Sequence, residues 1–152
     1  MTPEEKLKQL GLTLPPLRTP PANFVPFKLD GKTIYLSGQG PVKPDGSLYI
    51  GKVGRDFTWE QAYEHAKLVG LGLLAAAKAA AGELSRVETL KLLGMVNVTP
   101  EFGDMPKVVN GCSDLLVEVL GERGRHARSA VGLASLPNGM SVEIEAVMRI
   151  VE

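Results

Sequence analysis

Residues 128–145 read RSAVGLASLPNGMSVEIE, two runs of strand-forming character separated by Pro137-Asn138-Gly139. Successive side chains of a strand point to opposite faces, so Arg128 shares its face with Ala130, Gly132 and Ala134. An arginine among small residues has open space in front of it, which suits bidentate contact with an anion. Beyond the turn, Val142, Ile144, Ala146, Met148 and Ile150 make one apolar face, with Glu143, Glu145, Val147 and Arg149 on the other. Asn-Gly favours a two-residue hairpin turn, which predicts that Met140 faces Pro137 and that Glu143 faces Ala134. Arg128 then stands six residues farther along its strand, roughly 20 Å from Glu143 at about 3.3 Å per residue. The blander readings of these charges are an internal ion pair for Arg128 and a solvated surface position for Glu145.

Residues 105–120 predict a helix whose main apolar stripe is Val108, Cys112, Leu115 and Val119. Val109, Leu116, Val117 and Leu120 carry apolar character farther round, which predicts two neighbours, the sheet and a second subunit. Asn110 falls opposite the main stripe. Before it, Arg86–Val98 alternates as a strand, with Thr89, Lys91 and Leu93 on one side and Leu90, Leu92 and Gly94 on the other. Thr58 with Gln61 makes a capping box for a long helix that runs to Ala81 and stops at Gly82. Gly70 and Gly72 each cost that helix roughly 1 kcal/mol relative to alanine, which suggests a close approach to the sheet.

Nearer the N-terminus, Phe24–Leu29 and Lys32–Ser37 read as a hairpin around Asp30-Gly31. Ser37-Gly38-Gln39-Gly40-Pro41 then forms a loop able to expose backbone N–H groups, and Ser47–Gly51 reads as a short third strand. Thr2 caps a helix over Pro3–Leu10, followed by an arm, LPPLRTPPAN, whose prolines preclude regular structure. The order helix–β–β–β–α–β–α–β–β predicts an α+β fold, one mixed sheet with two long helices on one face. A single domain spans 1–152, with residues 1–22 forming the N-terminal helix and proline-rich arm.

Composition excludes several classes. Seventeen basic and seventeen acidic residues cancel, so no basic surplus points to nucleic acid. The segment MTPEEKLKQLG lacks the apolar region of a signal peptide, and no apolar run reaches the eighteen or so residues of a membrane span. A soluble, cytoplasmic protein without a membrane partner is expected. One cysteine, Cys112, allows no internal disulfide and its helical phase makes it an inert packed thiol. His65 and His126 are far apart and no metal-ligand spacing occurs, so no metal is expected. His65 reads as a polar helix position, and His126 as a loop residue at the mouth of the Arg128 strand.

HARSAVGLASLP followed by VEIEA, together with LSGQGP at 36–41 and a PKVVN segment leading into the second long helix, resembles the RidA family of reactive imine/enamine deaminases. Older names in that family include endoribonuclease L-PSP. The resemblance covers nearly all of the chain after the first twenty residues. It implies the chorismate-mutase-like α+β fold, a homotrimer with clefts between subunits, and neither metal nor organic cofactor. It also implies that Arg128 binds a substrate carboxylate and that Glu143, fifteen residues later, positions or activates water. Ser37, Gly38 and Asn110 match pocket residues. Phe24 stands where better-known members have a pocket tyrosine, and Ala130 where they have a small thiol. The N-terminal helix and arm are additional, a mark of the branch with about 150 residues.

The expected activity is hydrolytic deamination of small 2-imino or 2-enamine acids to 2-oxo acids and ammonia. Arginine supplies a planar fork for the carboxylate, glutamate a base for water, and the imine carbon is already electrophilic. The alternative is a non-catalytic trimer that binds a carboxylate metabolite or regulates a partner. A ribonuclease is disfavoured by the neutral charge and the lack of a His/Lys cluster. The separation expected between Arg128 and Glu143 points to a site shared by two subunits.

Overall fold

The Pro137–Gly139 turn forms, yet it does not close a hairpin. In the computed structural model, which describes residues 1–152, Met140 N–H donates to Pro137 O at 3.2 Å, with Asn138 at φ 58° and Gly139 at φ 73°. The flanking strands, β4 (Ala127–Leu133) and β5 (Val142–Ile150), are separated by β3 (Val87–Asn97). β3 pairs parallel with β4 and antiparallel with β5.

Asn97, at the end of β3, explains how the short connection crosses over. Its side-chain amide donates to Gly139 O at 3.3 Å and Met140 O at 3.2 Å. Its backbone N–H donates to Ser141 O at 2.9 Å, and Val98 N–H to Leu133 O at 3.1 Å. Lys52 adds a 2.8 Å bond to Asn97 Oδ1 and a contact to Ala134 O. The turn is thus pinned across the end of β3, satisfying backbone groups that a buried crossing would otherwise orphan.

Two further strands complete the sheet, β1 (Phe27–Asp30) and β2 (Thr33–Gln39), in the order β1-β2-β5-β3-β4. The β1–β2 hairpin turns through Gly31-Lys32, with Asp30 paired to Thr33, one residue later than the Asp30-Gly31 turn expected. The expected strand over Ser47–Gly51 reduces to isolated bridges, Val42 with Leu48 and Ile50 with Met140. A bulge between Thr89 and Lys91 shifts the phase of β3. Thr89 therefore joins Leu92 among the buried residues, instead of opposing it.

Three helices accompany the sheet: α1 (Pro3–Gln9), α2 (Trp59–Ala81) and α3 (Met105–Leu120). Thr2 and Thr58 close capping boxes on α1 and α2, and Gly82 ends α2 at φ 91°. Between α2 and α3 the spacing is set by glycine. A Cβ on Gly111 would collide with the Tyr63 carbonyl, and one on Gly70 would lie 2.9 Å from Leu115. Gly70 therefore serves helix–helix contact, not the expected approach to the sheet. Gly72 does face a sheet residue, since its added Cβ would stand 3.2 Å from Gln39 Oε1.

The core lies between α2, α3 and one sheet face, built on Ile34, Leu36, Leu92, Val96, Ile144 and Met148 with Leu73, Leu74, Val109 and Leu116. The broad apolar character of α3 is consumed within the chain, by α2 and the sheet, since Val108, Val109, Cys112, Leu115, Leu116 and Val119 are all buried. Val117 and Leu120, apolar residues of the same helix, stay partly exposed. The uncovered sheet face mixes charged and apolar side chains, with Tyr35 50% and Val131 40% exposed. No helix is long and apolar enough to cross a membrane.

Candidate functional site

Arg128 is in register with Leu92, which is in register with Ala146. Residues in one such row point to the same face, and Leu92 and Ala146 lie under the helices. Arg128 accordingly reaches α3, where Nη2 donates to Pro106 O at 3.3 Å and Nη1 to Ser113 Oγ at 3.0 Å. Pro106, Asn110 and Ser113 follow at helical spacings of four and three, which places Asn110 on the stripe that meets Arg128. Ala130, two residues along β4, shares that face and packs on the core.

No carboxylate lies within ion-pairing distance of Arg128: the six ion pairs of the chain involve other residues. Both of its acceptors are neutral. A guanidinium has five N–H donors, so two are held by α3 and three remain for an anion. The internal ion pair is therefore excluded, and the side chain is half-buried, where screening by water is reduced.

Glu143 occupies a different surface. It is in register with Met95, which is in register with Val131, on the face away from the helices. Arg128 and Glu143 are three residues apart along the strands and two strands apart across them, roughly 14 Å between backbones at about 3.3 and 4.8 Å spacings. The hairpin distance of roughly 20 Å is thus corrected, because β3 intervenes. The separation is nonetheless firmer, since the two side chains project from opposite faces.

Gly38 adjoins Glu143. A Cβ at position 38 would run into the Glu143 carboxylate, and its other near neighbours would be Glu143 Cδ at 3.1 Å and Cγ at 3.2 Å. The register of β2 against β5 shifts between Leu36 and Gln39, and this bulge brings Gly38 against the glutamate. Ser37 donates from Oγ to Val25 O at 2.6 Å, tying the bulge to the segment before β1. Phe24, in that segment, is 52% exposed. Burial raises the Glu143 carboxyl above the ordinary glutamate value, and the charge of Glu145 acts in the same direction. Glu143 is therefore a stronger base than a solvated glutamate.

The expected residues thus form two groups, Arg128, Asn110 and Ala130 on the helix face, and Glu143, Gly38 and Ser37 on the open face with Phe24 nearby. The structure adds Ser113 and His126 to the first group. His126 Nε2 lies 2.8 Å from Ser113 Oγ, and Nδ1 lies 2.6 Å from Gly124 O. Period two before Arg128 and spacing three after Asn110 were the available sequence signals for this pair.

His65 and Cys112 lie outside both groups. His65 is buried, stacked on Tyr49 at 3.9 Å, edge-on to Phe57 at 4.6 Å and bonded through Nδ1 to Ser141 Oγ at 2.9 Å. It is a core residue, where an ordinary polar helix position was expected. Burial pushes the Cys112 thiol up to about 12. No group of three or more His, Cys, Asp or Glu side chains converges as a metal site would require.

A five-stranded mixed sheet covered by two long helices on one side, with its other face open, places the molecule in the chorismate-mutase-like α+β class. The chain belongs to the YjgF/RidA family: residues 4–142 match the family described as "YjgF/chorismate_mutase-like, putative endoribonuclease". The chain is 38% identical over 146 residues to Protein TCP17 of Trypanosoma cruzi, covering 95% of this chain and 91% of that one. It resembles the crystal structure of Atu1372 from Agrobacterium tumefaciens with a TM-score of 0.89 at 45% identity, over 98% of this chain and 92% of the other. RidA from the Antarctic bacterium Psychrobacter sp. PAMC 21119 superposes with a TM-score of 0.61 at 27% identity, over 87% and 92% of the two chains.

Proposed function

We propose that the protein hydrolyses small 2-imino or 2-enamine acids to 2-oxo acids and ammonia in clefts between the subunits of a homotrimer. The observation that carries this reading is the state of Arg128, a half-buried guanidinium oriented by two neutral acceptors with no carboxylate of its own. Such a group is prepared for a carboxylate ligand. Asn110 and Ala130 line the approach to it in this reading, and Phe24, Ser37 and Gly38 border the Glu143 side.

Glu143 of the adjacent subunit takes the proton of a water molecule as the water oxygen attacks the imine carbon. The C=N π pair moves to nitrogen, which receives that proton from Glu143, giving a neutral carbinolamine. The Glu143 carboxylate then takes the hydroxyl proton as the C=O bond forms and passes it to the nitrogen as the C–N bond breaks, so that the oxo acid and ammonia depart and Glu143 is ionised again. An enamine enters the same route after tautomerisation to the imine. The uncovered sheet face is the surface we assign to subunit contact, because it is where Tyr35 and Val131 are exposed.

The test is release of ammonia and 2-oxo acid from freshly generated 2-iminopropionate and longer imino acids, measured against spontaneous hydrolysis. Arg128→Ala should abolish turnover and carboxylate binding, while Arg128→Lys keeps the charge and loses the fork. Glu143→Gln should lower turnover far more than affinity for the product oxo acid. Binding of oxo acids without any accelerated ammonia release would instead identify a carboxylate-binding protein without turnover.

A further inference from the structure

We infer that Ser113 and His126 are positioning residues that hold Arg128 ready for its anion through a directed relay, Arg128 to Ser113 to His126 to the Gly124 carbonyl. The inference rests on the reading of Arg128 as the carboxylate anchor and adds the residues that determine its orientation.

The direction of every bond follows from the donor inventory. Gly124 O can only accept, so His126 Nδ1, at 2.6 Å, carries the ring proton. In the neutral ring Nε2 is then a lone pair and accepts from the Ser113 hydroxyl at 2.8 Å. With its proton committed to His126, Ser113 presents only lone pairs to Arg128 Nη1 at 3.0 Å. An uncommitted serine could rotate its hydroxyl proton toward the guanidinium, whereas this one is fixed as an acceptor. Burial and the nearby Arg128 charge both favour the neutral ring, while the bond to Gly124 opposes them. Pro106 O holds the second guanidinium arm, so the plane of the fork is set from two points on α3. Orientation of this kind matters because bidentate contact with a carboxylate requires the plane as well as the charge.

The test uses the full-length protein with 2-oxobutyrate as the carboxylate probe, by calorimetry, together with turnover of 2-iminopropionate and nitrogen NMR of the imidazole. Ser113→Ala and His126→Phe should each weaken 2-oxobutyrate about tenfold, the scale of one hydrogen bond to a charged group. KM should rise more than kcat falls. Ser113→Thr keeps the hydroxyl and His126→Gln keeps an acceptor at the Nε2 position, so both should recover most of the affinity. The NMR spectrum should show His126 as the Nδ1–H tautomer. Wild-type affinity in Ser113→Ala, with binding abolished in Arg128→Ala, would overturn the relay, as would an Nε2–H tautomer. If Arg128→Ala retains full affinity, the carboxylate reading has failed and the relay is decided by the tautomer alone.

Discussion

Arg128 and Glu143 project from opposite faces of a single sheet, with β3 between their strands. No rotamer change can bring them onto one small ligand within a chain, because the sheet itself stands between them. A common site therefore requires two chains. In a closed ring each interface repeats the same heterologous contact, so every cleft would draw its arginine from one subunit and its glutamate from the next.

This arrangement fixes the outcome of a mixing experiment. Inactive Arg128→Ala and inactive Glu143→Ala subunits, dissociated and reassembled in equal amounts, should recover about a quarter of wild-type activity. That figure is the chance that an intact arginine meets an intact glutamate at a given heterologous interface, a half multiplied by a half. A site built from one chain would recover none in any mixture.

Gly38→Ala tests the open-face half of the site separately. The added methyl has no room unless the Glu143 carboxylate moves. Because the residue in the way is the end of a flexible side chain, folding should change by less than about 1 kcal/mol. Turnover should fall at least tenfold while 2-oxobutyrate affinity changes little. Equal turnover in Gly38→Ala and wild type would remove Glu143 in its present position from the reaction.

The long helices, their caps and the edges of most strands were legible because capping boxes, glycine stops and period-two faces are local signals. Thr58, Gln61 and Gly82 specify the ends of α2 without reference to the remainder of the chain. Strand order was not local. Asn138-Gly139 carries the sequence of a hairpin turn and makes that turn, but Asn97, some forty residues earlier, decides what lies beneath it. The phase of Thr89 failed for a related reason, since a bulge leaves no signature in the alternation it interrupts. Arg128 was visible through its small neighbours and the motif around it. Ser113 and His126 were hidden because their role depends on where α3 crosses β4.

Gly111→Ala should be among the most damaging single-methyl changes in the protein. Its Cβ would meet the backbone carbonyl of Tyr63, which unlike a side chain cannot swing aside. Forcing α2 and α3 apart also opens the packing of Ala66, Cys112 and Leu115. The expected loss is upwards of about 3 kcal/mol, the high end for overpacked cores, seen as a large fall in the urea midpoint. Gly103→Ala, where an added methyl meets nothing within 4 Å, should leave the midpoint near wild type. Similar midpoints for the two variants would contradict the close helix contact.

His65 predicts how the fold responds to acid. Burial lowers its pKa from 6.5 to about 4, and the charge of Lys43 acts in the same direction. The unfolded chain therefore takes up a proton at this ring before the folded chain does. Between those two values the unfolded state holds more protons, so stability rises with pH in that window. The contribution is fully present above about pH 6.5 and is lost progressively as pH falls toward about 4. Its size is on the order of 3 kcal/mol, from roughly 1.4 kcal/mol per pH unit. Glu143, whose carboxyl is raised, acts with the opposite sign, gaining stability as it is protonated. A comparison of two proteins that both retain Glu143 cancels that term. His65→Gln keeps a polar partner for Ser141 and cannot become charged. It should be less stable than wild type at pH 7 but lose less on going to pH 4.5, by about 2 to 3 kcal/mol. Urea unfolding of both proteins at the two pH values measures the difference, and parallel losses would show that His65 is not the acid-sensitive group.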